Sequence, residues 1–173
     1  MNSFVEIVTE AGTIEVELYP EAAPGTVANF LELVDSGAYD GGAFYRTVTL
    51  DNQPDDEIRI AVIQGGVSKT FDGDAHPELR LERTSVTGLH HLDGTISMAR
   101  RTPDSARTEF FICVGDQPEL DFGGRRNPDG QGFAAFGQVT GGMDVVRAIN
   151  ASPRDGQSLT PVVTIDAIRR VAR

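Results

Sequence analysis

Apolar and polar residues alternate along the first part of the chain. In residues 13–19 the apolar side chains take every second position from Ile14 to Leu18, and residues 4–8 are similarly rich in apolar residues. Alternation with a period of two is typical of a strand with one buried face. Gly12 interrupts the pattern between the two segments, so they are predicted to pair as a hairpin.

The period changes in residues 24–36. Starting from Val27, apolar residues recur at the spacing of one helical face, Pro24 suits a first helical turn, and Gly37 suits the position just past a helix end. A helix is therefore predicted there. The same spacing, over a shorter stretch, predicts a second helix in residues 142–150.

Six further strands are predicted from short apolar runs between turn residues. Their ranges are 43–48, 58–63, 95–99, 109–114, 133–139 and 159–171. The glycine pair at 65–66 is expected to end the second of them sharply, and the polar, acidic residues 49–57 are expected to form a loop. Many short strands with only two helices favour a mainly β fold, a closed barrel plugged by helices. A length of 173 residues fits a single domain, residues 1–173.

The charge is strongly negative and unevenly spread. The formal net charge is −11, and residues 1–60 hold twelve carboxylates but only two bases, Arg46 and Arg59. Such a surface repels phosphate backbones, so nucleic-acid binding is not expected. No apolar run has the length needed to span a bilayer, and the N-terminus lacks the pattern of a signal peptide. We therefore expect a soluble, cytoplasmic protein without membrane contact.

Several kinds of chemistry receive no support from the sequence. Cys113 lies inside an apolar run, so a buried structural role is expected. His90 and His91 are adjacent, and adjacent side chains of a strand point in opposite directions, so a structural or surface role is expected rather than a shared metal. No serine or cysteine has a motif-level pairing with a histidine, which argues against a hydrolase. We predict neither a metal nor a cofactor.

The most specific pattern consists of four short segments in a fixed order. They are Ala43-Phe44-Tyr45-Arg46, Ile63-Gln64-Gly65-Gly66, Ser97-Met98-Ala99 and Glu109-Phe110-Phe111-Ile112-Cys113. In this order they resemble the cyclophilins, the cyclosporin-type peptidyl-prolyl isomerases. Residues 23–30 resemble the first helix of that family, and residues 135–143 resemble its later entry from strand to helix. The resemblance covers nearly the whole chain and implies an eight-stranded antiparallel barrel capped by two helices.

Isomerisation of an X–Pro bond explains why such residues are needed. The C–N bond has partial double-bond character, so rotation meets a barrier of roughly 18–20 kcal/mol. A catalyst needs an apolar slot for the proline ring and a donor that stabilises the twisted amide more than the planar one. By resemblance, Arg46 is the catalytic arginine, Phe111 floors the proline pocket and Gln64 binds the substrate backbone. Alternation lets only one of Phe110 and Phe111 face that pocket.

The resemblance also implies the positions that surround the substrate. Ala99 and Arg100 match positions that grip its main chain, as a strand edge would. Leu120 matches an apolar wall of the pocket. Phe133 stands where many members have histidine, and an aromatic ring there still packs on proline. Arg101 and Arg100 replace smaller residues, so two cations beside the pocket could favour acidic residues before the proline or narrow the neighbouring pocket.

Other positions depart from the family pattern. Ala61 and Val62 replace a larger pair, which thins the pocket wall. The spacing from Arg46 to Gln64 is longer than usual, and we hypothesise that the acidic insert around residues 51–57 folds over the pocket and replaces the missing wall. Glu109 stands in place of a glutamine. This carboxylate could pair with Arg46 and orient it, draw its charge away from the substrate, or simply be exposed on the strand.

The leading interpretation is a peptidyl-prolyl cis-trans isomerase that assists protein folding. Its partners would be proline-containing peptides and unfolded or partly folded proteins, and a monomer is expected. The alternative is a proline-peptide binding module or holdase with little turnover, which the residues at 61, 62 and 109 keep open. A third interpretation, a relative in fold alone that binds another small molecule, is disfavoured because Arg46, Gln64 and Phe111 occur together.

Overall fold

A computed structural model describes residues 1–173 and contains nine strands in one sheet. The strand order is β1-β2-β7-β5-β6-β4-β3-β9-β8, and β1 also pairs with β9. This last pairing closes eight strands into an antiparallel barrel, and the two-residue β8 is only a hairpin partner of β9. The predicted barrel of eight strands is therefore confirmed. The strands are β1 (Ser3–Thr9), β2 (Gly12–Leu18), β3 (Ala43–Val48), β4 (Val62–Gly66), β5 (Thr95–Met98), β6 (Phe110–Cys113), β7 (Ala135–Gly141), β8 (Arg154–Asp155) and β9 (Ser158–Val171).

Two helices lie at the predicted places. Helix α1 (Pro24–Asp35) begins at the proline, and Gly37, just past its end, has a φ of 73° that favours glycine. Helix α3 (Met143–Asn150) follows β7. A single helical turn, α2 (Thr84–Thr87), was not predicted. No helix in the chain combines the length and apolar character required to cross a membrane.

The strand predicted over residues 58–63 is placed wrongly. The observed β4 begins at Val62 and continues through the two glycines that were expected to end it. A Cβ at Gly65 would lie 2.9 Å from the ring of Phe44, and a Cβ at Gly66 would overlap the carboxylate of Glu109. The two positions within the strand are therefore glycines because neighbouring side chains occupy the space that a Cβ would need.

The barrel interior is the main core, and β6 separates it from a smaller apolar cluster. Phe110 is fully buried among the rings of Phe30, Tyr39 and Phe44, with centroid distances of 5.8, 5.5 and 5.7 Å. Phe111, the next residue, belongs instead to the second cluster. Alternation along β6 thus sends the two rings to opposite faces, as expected.

Replacing Phe110 by alanine should be strongly destabilising. The change removes a ring that three other rings contact and leaves a cavity, so we expect a loss of about 3–5 kcal/mol in the free energy of unfolding, measured in urea. Phe122→Ala is the matched control, because the Phe122 side chain is 45% exposed and its loss should stay within about 0.5 kcal/mol. Equal losses in the two variants would contradict the assignment of Phe110 to the core.

Candidate active site

The register of four strands aligns the main site residues. Arg46 on β3 is opposite Gln64 on β4, Gln64 is opposite Phe111 on β6, and Phe111 is opposite Ser97 on β5. Residues opposite one another on paired strands point to the same face of a sheet. The three residues that the resemblance marks as central therefore form one row across the outside of the barrel.

Two neutral side chains hold the guanidinium of Arg46. Its Nε donates to Oε1 of Gln157 at 2.9 Å, and its Nη1 donates to Oε1 of Gln64 at 2.8 Å. Burial and the nearby guanidinium of Arg126 lower the pKa of Arg46 from its ordinary value, but an arginine stays charged at neutral pH. Nη2 has no acceptor within the protein, so the cation keeps donors free for a ligand.

An apolar recess adjoins this cation. Phe111, Leu120 and Val62 lie in the second cluster, and the ring of Phe133 meets that of Phe111 edge to face at 5.6 Å and 89°. Ala99 packs partly buried against the same cluster. The recess presents aromatic and aliphatic carbon next to Arg46, a combination suited to a proline ring with its polar amide. The full cluster is Val48, Ile60, Val62, Phe111, Cys113 and Leu120.

The acidic insert contributes to this recess in a different way from the one expected. Most of residues 51–57 are exposed, so the acidic segment does not itself form the wall. Ile60, which follows it, is only 6% exposed and joins the second cluster. Ala61 lies outside that cluster. The recess therefore takes apolar carbon from Ile60, which no motif in the sequence marked out, and not from the side chain at 61.

Behind the recess, a buried histidine supports Phe111. The ring of His91 stacks on that of Phe111 at 6.0 Å and 13°, with Nδ1 2.7 Å from Oδ1 of Asp121 and Nε2 2.9 Å from Oγ of Ser97. His90 points outward and is 66% exposed. No motif in the sequence connects His91 with the site. Its Asp-His-Ser arrangement is not hydrolytic, because Ser97 is fully buried and its hydroxyl is out of reach of a substrate.

Glu109 does not pair with Arg46, so that hypothesis is wrong. Its carboxylate accepts from the Tyr45 hydroxyl at 3.0 Å and from the Thr108 hydroxyl at 3.1 Å. The Tyr45 oxygen accepts in turn from Nε2 of Gln64 at 2.9 Å. A chain of hydrogen bonds thus separates the anion from the cation. Burial raises the pKa of Glu109, and the two hydroxyl donors oppose the shift only in part.

Arg100 is not a free cation beside the pocket. Its side chain is 1% exposed, forms two hydrogen bonds with Asp129 at 2.9 and 3.0 Å, and donates to the carbonyl of Gly132. Its guanidinium carbon also lies 4.7 Å from the ring centroid of Phe133, within range of a cation–π contact. Of the two arginines, only Arg101 is exposed. The guanidinium of Arg100 therefore packs against Phe133 at the wall of the recess, and its charge is paired within the protein.

A groove of about 900 Å³ continues from the recess. Gln64, Ala99 and Glu109 line it together with Arg101 and Arg107. The backbone N–H of Ala99, just past β5, donates to the carbonyl of Glu109 at 3.0 Å. The groove has the size and mixed polarity to hold the chain next to a proline.

Structural comparison identifies the fold. The fold matches a cyclophilin-type peptidyl-prolyl cis-trans isomerase of Cryptosporidium parvum with a TM-score of 0.80 over 100% of this chain and 99% of that one, at 22% identity. The same kind of protein from that organism, in a structure described as being in the presence of the dipeptide Ala-Pro, gives a TM-score of 0.78. The barrel is therefore a cyclophilin barrel.

Sequence comparison identifies the family. Residues 4–170 match the family of cyclophilin type peptidyl-prolyl cis-trans isomerases, and the chain belongs to it. It is 40% identical over 151 residues to the peptidyl-prolyl cis-trans isomerase cyp18 of Streptomyces antibioticus, covering 85% of this chain and 82% of that protein. It is 36% identical over 170 residues to peptidyl-prolyl cis-trans isomerase A of Dickeya dadantii, covering 94% and 82%. The predicted family and isomerase class are confirmed.

The raised pKa of Glu109 predicts a pH-dependent contribution to stability. The folded state binds the carboxyl proton of Glu109 more tightly than the unfolded state does. The contribution of Glu109 to the free energy of unfolding therefore falls as the pH rises above 4.5, the ordinary pKa of glutamate. Glu109→Gln keeps an acceptor for Tyr45 and removes the buried charge. Relative to the parent, the variant should therefore gain free energy of unfolding between about pH 4 and about pH 7. A difference that stays constant over this range would contradict the assignment.

Removing the Arg100 side chain should loosen the recess. Arg100→Leu leaves Asp129 unpaired and frees Phe133, so we expect a loss of about 1–3 kcal/mol in stability and weaker binding of a proline peptide, measured by denaturation and by calorimetric titration. Arg169→Leu is the control, because the Arg169 side chain is 64% exposed and pairs with Glu6 on β1, away from the recess, so its loss should change stability by no more than about 1 kcal/mol. Equal peptide affinities in the two variants would argue against this support of Phe133.

Proposed function

We propose that this isomerase turns over X–Pro bonds in the recess beside Arg46 and Phe111. The observation that carries the proposal is the row Arg46, Gln64 and Phe111. In this row the guanidinium of Arg46 is oriented by Gln64, keeps N–H donors free, and lies beside the apolar ring of Phe111. Arg46 and Phe111 lie two strands apart, about 10 Å between their Cα atoms at ordinary strand spacing. That separation suits a proline ring and the amide that precedes it.

The mechanism needs no covalent intermediate. In the planar amide the nitrogen lone pair is delocalised into the carbonyl, and rotation returns it to the nitrogen. The twisted amide is then the better acceptor, so a donor at that position lowers the barrier more than it favours the ground state. Nη2 of Arg46 supplies such a donor, while Phe111 holds the ring and Gln64 contacts the substrate backbone. No step requires a cofactor or a metal.

Each remaining site residue has a distinct part in this proposal. Leu120, Val62 and Phe133 enclose the proline ring, and Ala99 presents main chain to the substrate. Arg101 faces the groove, where it meets residues preceding the proline. Arg100 acts through Phe133, and Glu109 acts through Tyr45 and Gln64 rather than by contact with Arg46.

The substrates proposed are proline-containing peptides and the X–Pro bonds of unfolded or partly folded proteins. The related protein studied in the presence of Ala-Pro supports this substrate class. We further propose that the protein acts as a single-domain monomer in the cytoplasm and assists folding there. The net charge of −11 supports a dispersed, soluble protein that does not bind nucleic acid.

A binding module or holdase with weak turnover is the second candidate. Its support is Val62, a small side chain in the wall of the recess, and the carboxylate of Glu109, which is linked through the Tyr45 hydroxyl to Gln64. Such a protein would hold proline peptides in the same recess with little acceleration. Turnover by the parent protein separates the two candidates directly.

Replacing Arg46 by alanine should remove most of the turnover. Loss of one preorganised donor to a transition state commonly costs about 100- to 1000-fold in rate, so kcat/KM for a short X–Pro peptide should fall on that order in a protease-coupled assay. Peptide affinity should change less, because Phe111 and its neighbours remain. Arg147→Ala is the control, since Arg147 is paired with Asp93 away from the recess.

Two outcomes would overturn parts of the proposal. Equal activities of the parent and Arg46→Ala would remove Arg46 as the catalytic residue. A parent protein that binds the peptide yet does not accelerate its isomerisation would favour the binding module.

A further inference from the structure

Arg46 is oriented by a residue that the sequence analysis did not single out. Of the two amide oxygens that accept from its guanidinium, one belongs to Gln64 in the row and the other to Gln157. Gln157 lies far along the chain, in the turn between β8 and β9. An arginine side chain rotates freely unless its N–H groups are held, so the Nε contact at 2.9 Å fixes the plane in which Nη2 points.

The amide of Gln157 is itself held in one orientation. Its Nε2 donates to the backbone carbonyl of Asn52 at 3.2 Å, which leaves Oε1 as the atom that faces Arg46. Its own backbone carbonyl accepts from the N–H of Thr47 at 2.9 Å, directly beside Arg46 on β3. An amide with both ends bonded cannot exchange its donor and acceptor without breaking two contacts.

Asn52 connects this contact to the insert between β3 and β4. Its Nδ2 donates to the carbonyl of Thr47 at 2.9 Å and to that of Gly156 at 3.1 Å, and its Oδ1 accepts from the N–H of Thr49 at 2.7 Å. One side chain therefore ties the start of the insert to β3 and to the β8–β9 turn. These bonds fix the Asn52 carbonyl at the place where Gln157 binds it.

The adjacent Gln53 anchors the same segment from the other side. It is 1% exposed, and its Nε2 donates to the carbonyls of Thr49 and Ile60 at 2.7 Å each. Its Oε1 accepts from Arg126 at 2.7 Å. The side-chain amides of Asn52 and Gln53 thus hold the insert by hydrogen bonds, and its acidic residues 55–57 take no part in them. A segment anchored at both ends in this way can serve as a rigid support.

We propose that Gln157 is a positioning residue for Arg46 and that residues 49–60, the insert with its flanking residues, hold Gln157 in place through Asn52. The inference rests on the proposed role of Arg46 in turnover. A neutral acceptor orients the guanidinium without neutralising it, which keeps the full charge available to the twisted amide. Residues 49–60 then contribute to the site by two routes. Ile60 packs in the recess, and Asn52 holds Gln157, which orients the guanidinium of Arg46.

Gln157→Leu tests the inference. Leucine removes the acceptor at similar volume, so Arg46 loses its fixed plane. We expect kcat/KM to fall about tenfold or more, because small misplacements of a catalytic group are costly, while the affinity for a proline peptide changes by no more than about threefold. Gln138→Leu is the matched control. Gln138 is a half-buried glutamine on β7 that bonds to the carbonyl of Asp93, and its loss should leave both quantities near those of the parent.

A second variant makes the test independent of simple unfolding. Asn52→Ala releases the carbonyl that Gln157 binds, and it should lower kcat/KM in the same direction. The double variant should be little slower than Gln157→Leu alone, because both changes break one connected unit. Exchange of the Arg46 Nε proton, followed by NMR, should become faster in Gln157→Leu while a thermal melt shows that the variant remains folded.

The outcomes separate this inference from the proposed function. If Arg46→Ala is slow but Gln157→Leu keeps the parent kcat/KM, Gln157 does not position Arg46 and the inference is overturned. Fully additive losses for Asn52→Ala and Gln157→Leu would overturn the link through the insert. If the parent and Arg46→Ala turn over equally, the proposed function itself fails first.

Discussion

The pairing register of β3, β4 and β6 is the constraint on which the site depends. Arg46, Gln64 and Phe111 come from separate parts of the chain and become neighbours only because the three strands pair in this register. A slip of one residue would turn each side chain to the other face. Barrel closure through β1 and β9 holds the register, because a closed sheet has no free edge along which strands can slide.

No carboxylate contacts the guanidinium of Arg46 in this row. Arg46 is held by amides, and the half-buried carboxylate of Glu109 is kept away by Tyr45 and Gln64. A carboxylate in direct contact would have neutralised much of the field on which the proposed mechanism depends. Two carboxylates of the acidic insert form ion pairs with arginines elsewhere in the chain. Asp56 pairs with Arg126 and Asp51 with Arg154, each with a nitrogen–oxygen distance of 3.3 Å.

At the departures from the family pattern, residues outside the family motifs shape the recess. Ile60 joins the apolar cluster that Ala61 does not reach, and Phe133 is held by the guanidinium of Arg100. The same guanidinium bonds to Asp129 and so fixes the loop before β7. These compensations belong to loops, whose shape follows from a few specific contacts. Position-by-position comparison with the family pattern could therefore find the departures but not what replaced them.

Local pattern in the sequence determined most of the strands, both main helices and the opposite faces of Phe110 and Phe111, because these follow from periodicity over a few residues. The ordered motifs determined the family and its central row. Only the tertiary structure decided the partners of Arg100 and Glu109 and the contribution of His91 and Gln157. Those contacts join residues far apart in the chain, and their geometry depends on how loops pack on the finished barrel. The strand through Gly65 and Gly66 was misplaced for the same reason, since the neighbours that exclude a Cβ there, Phe44 and Glu109, come from other parts of the chain.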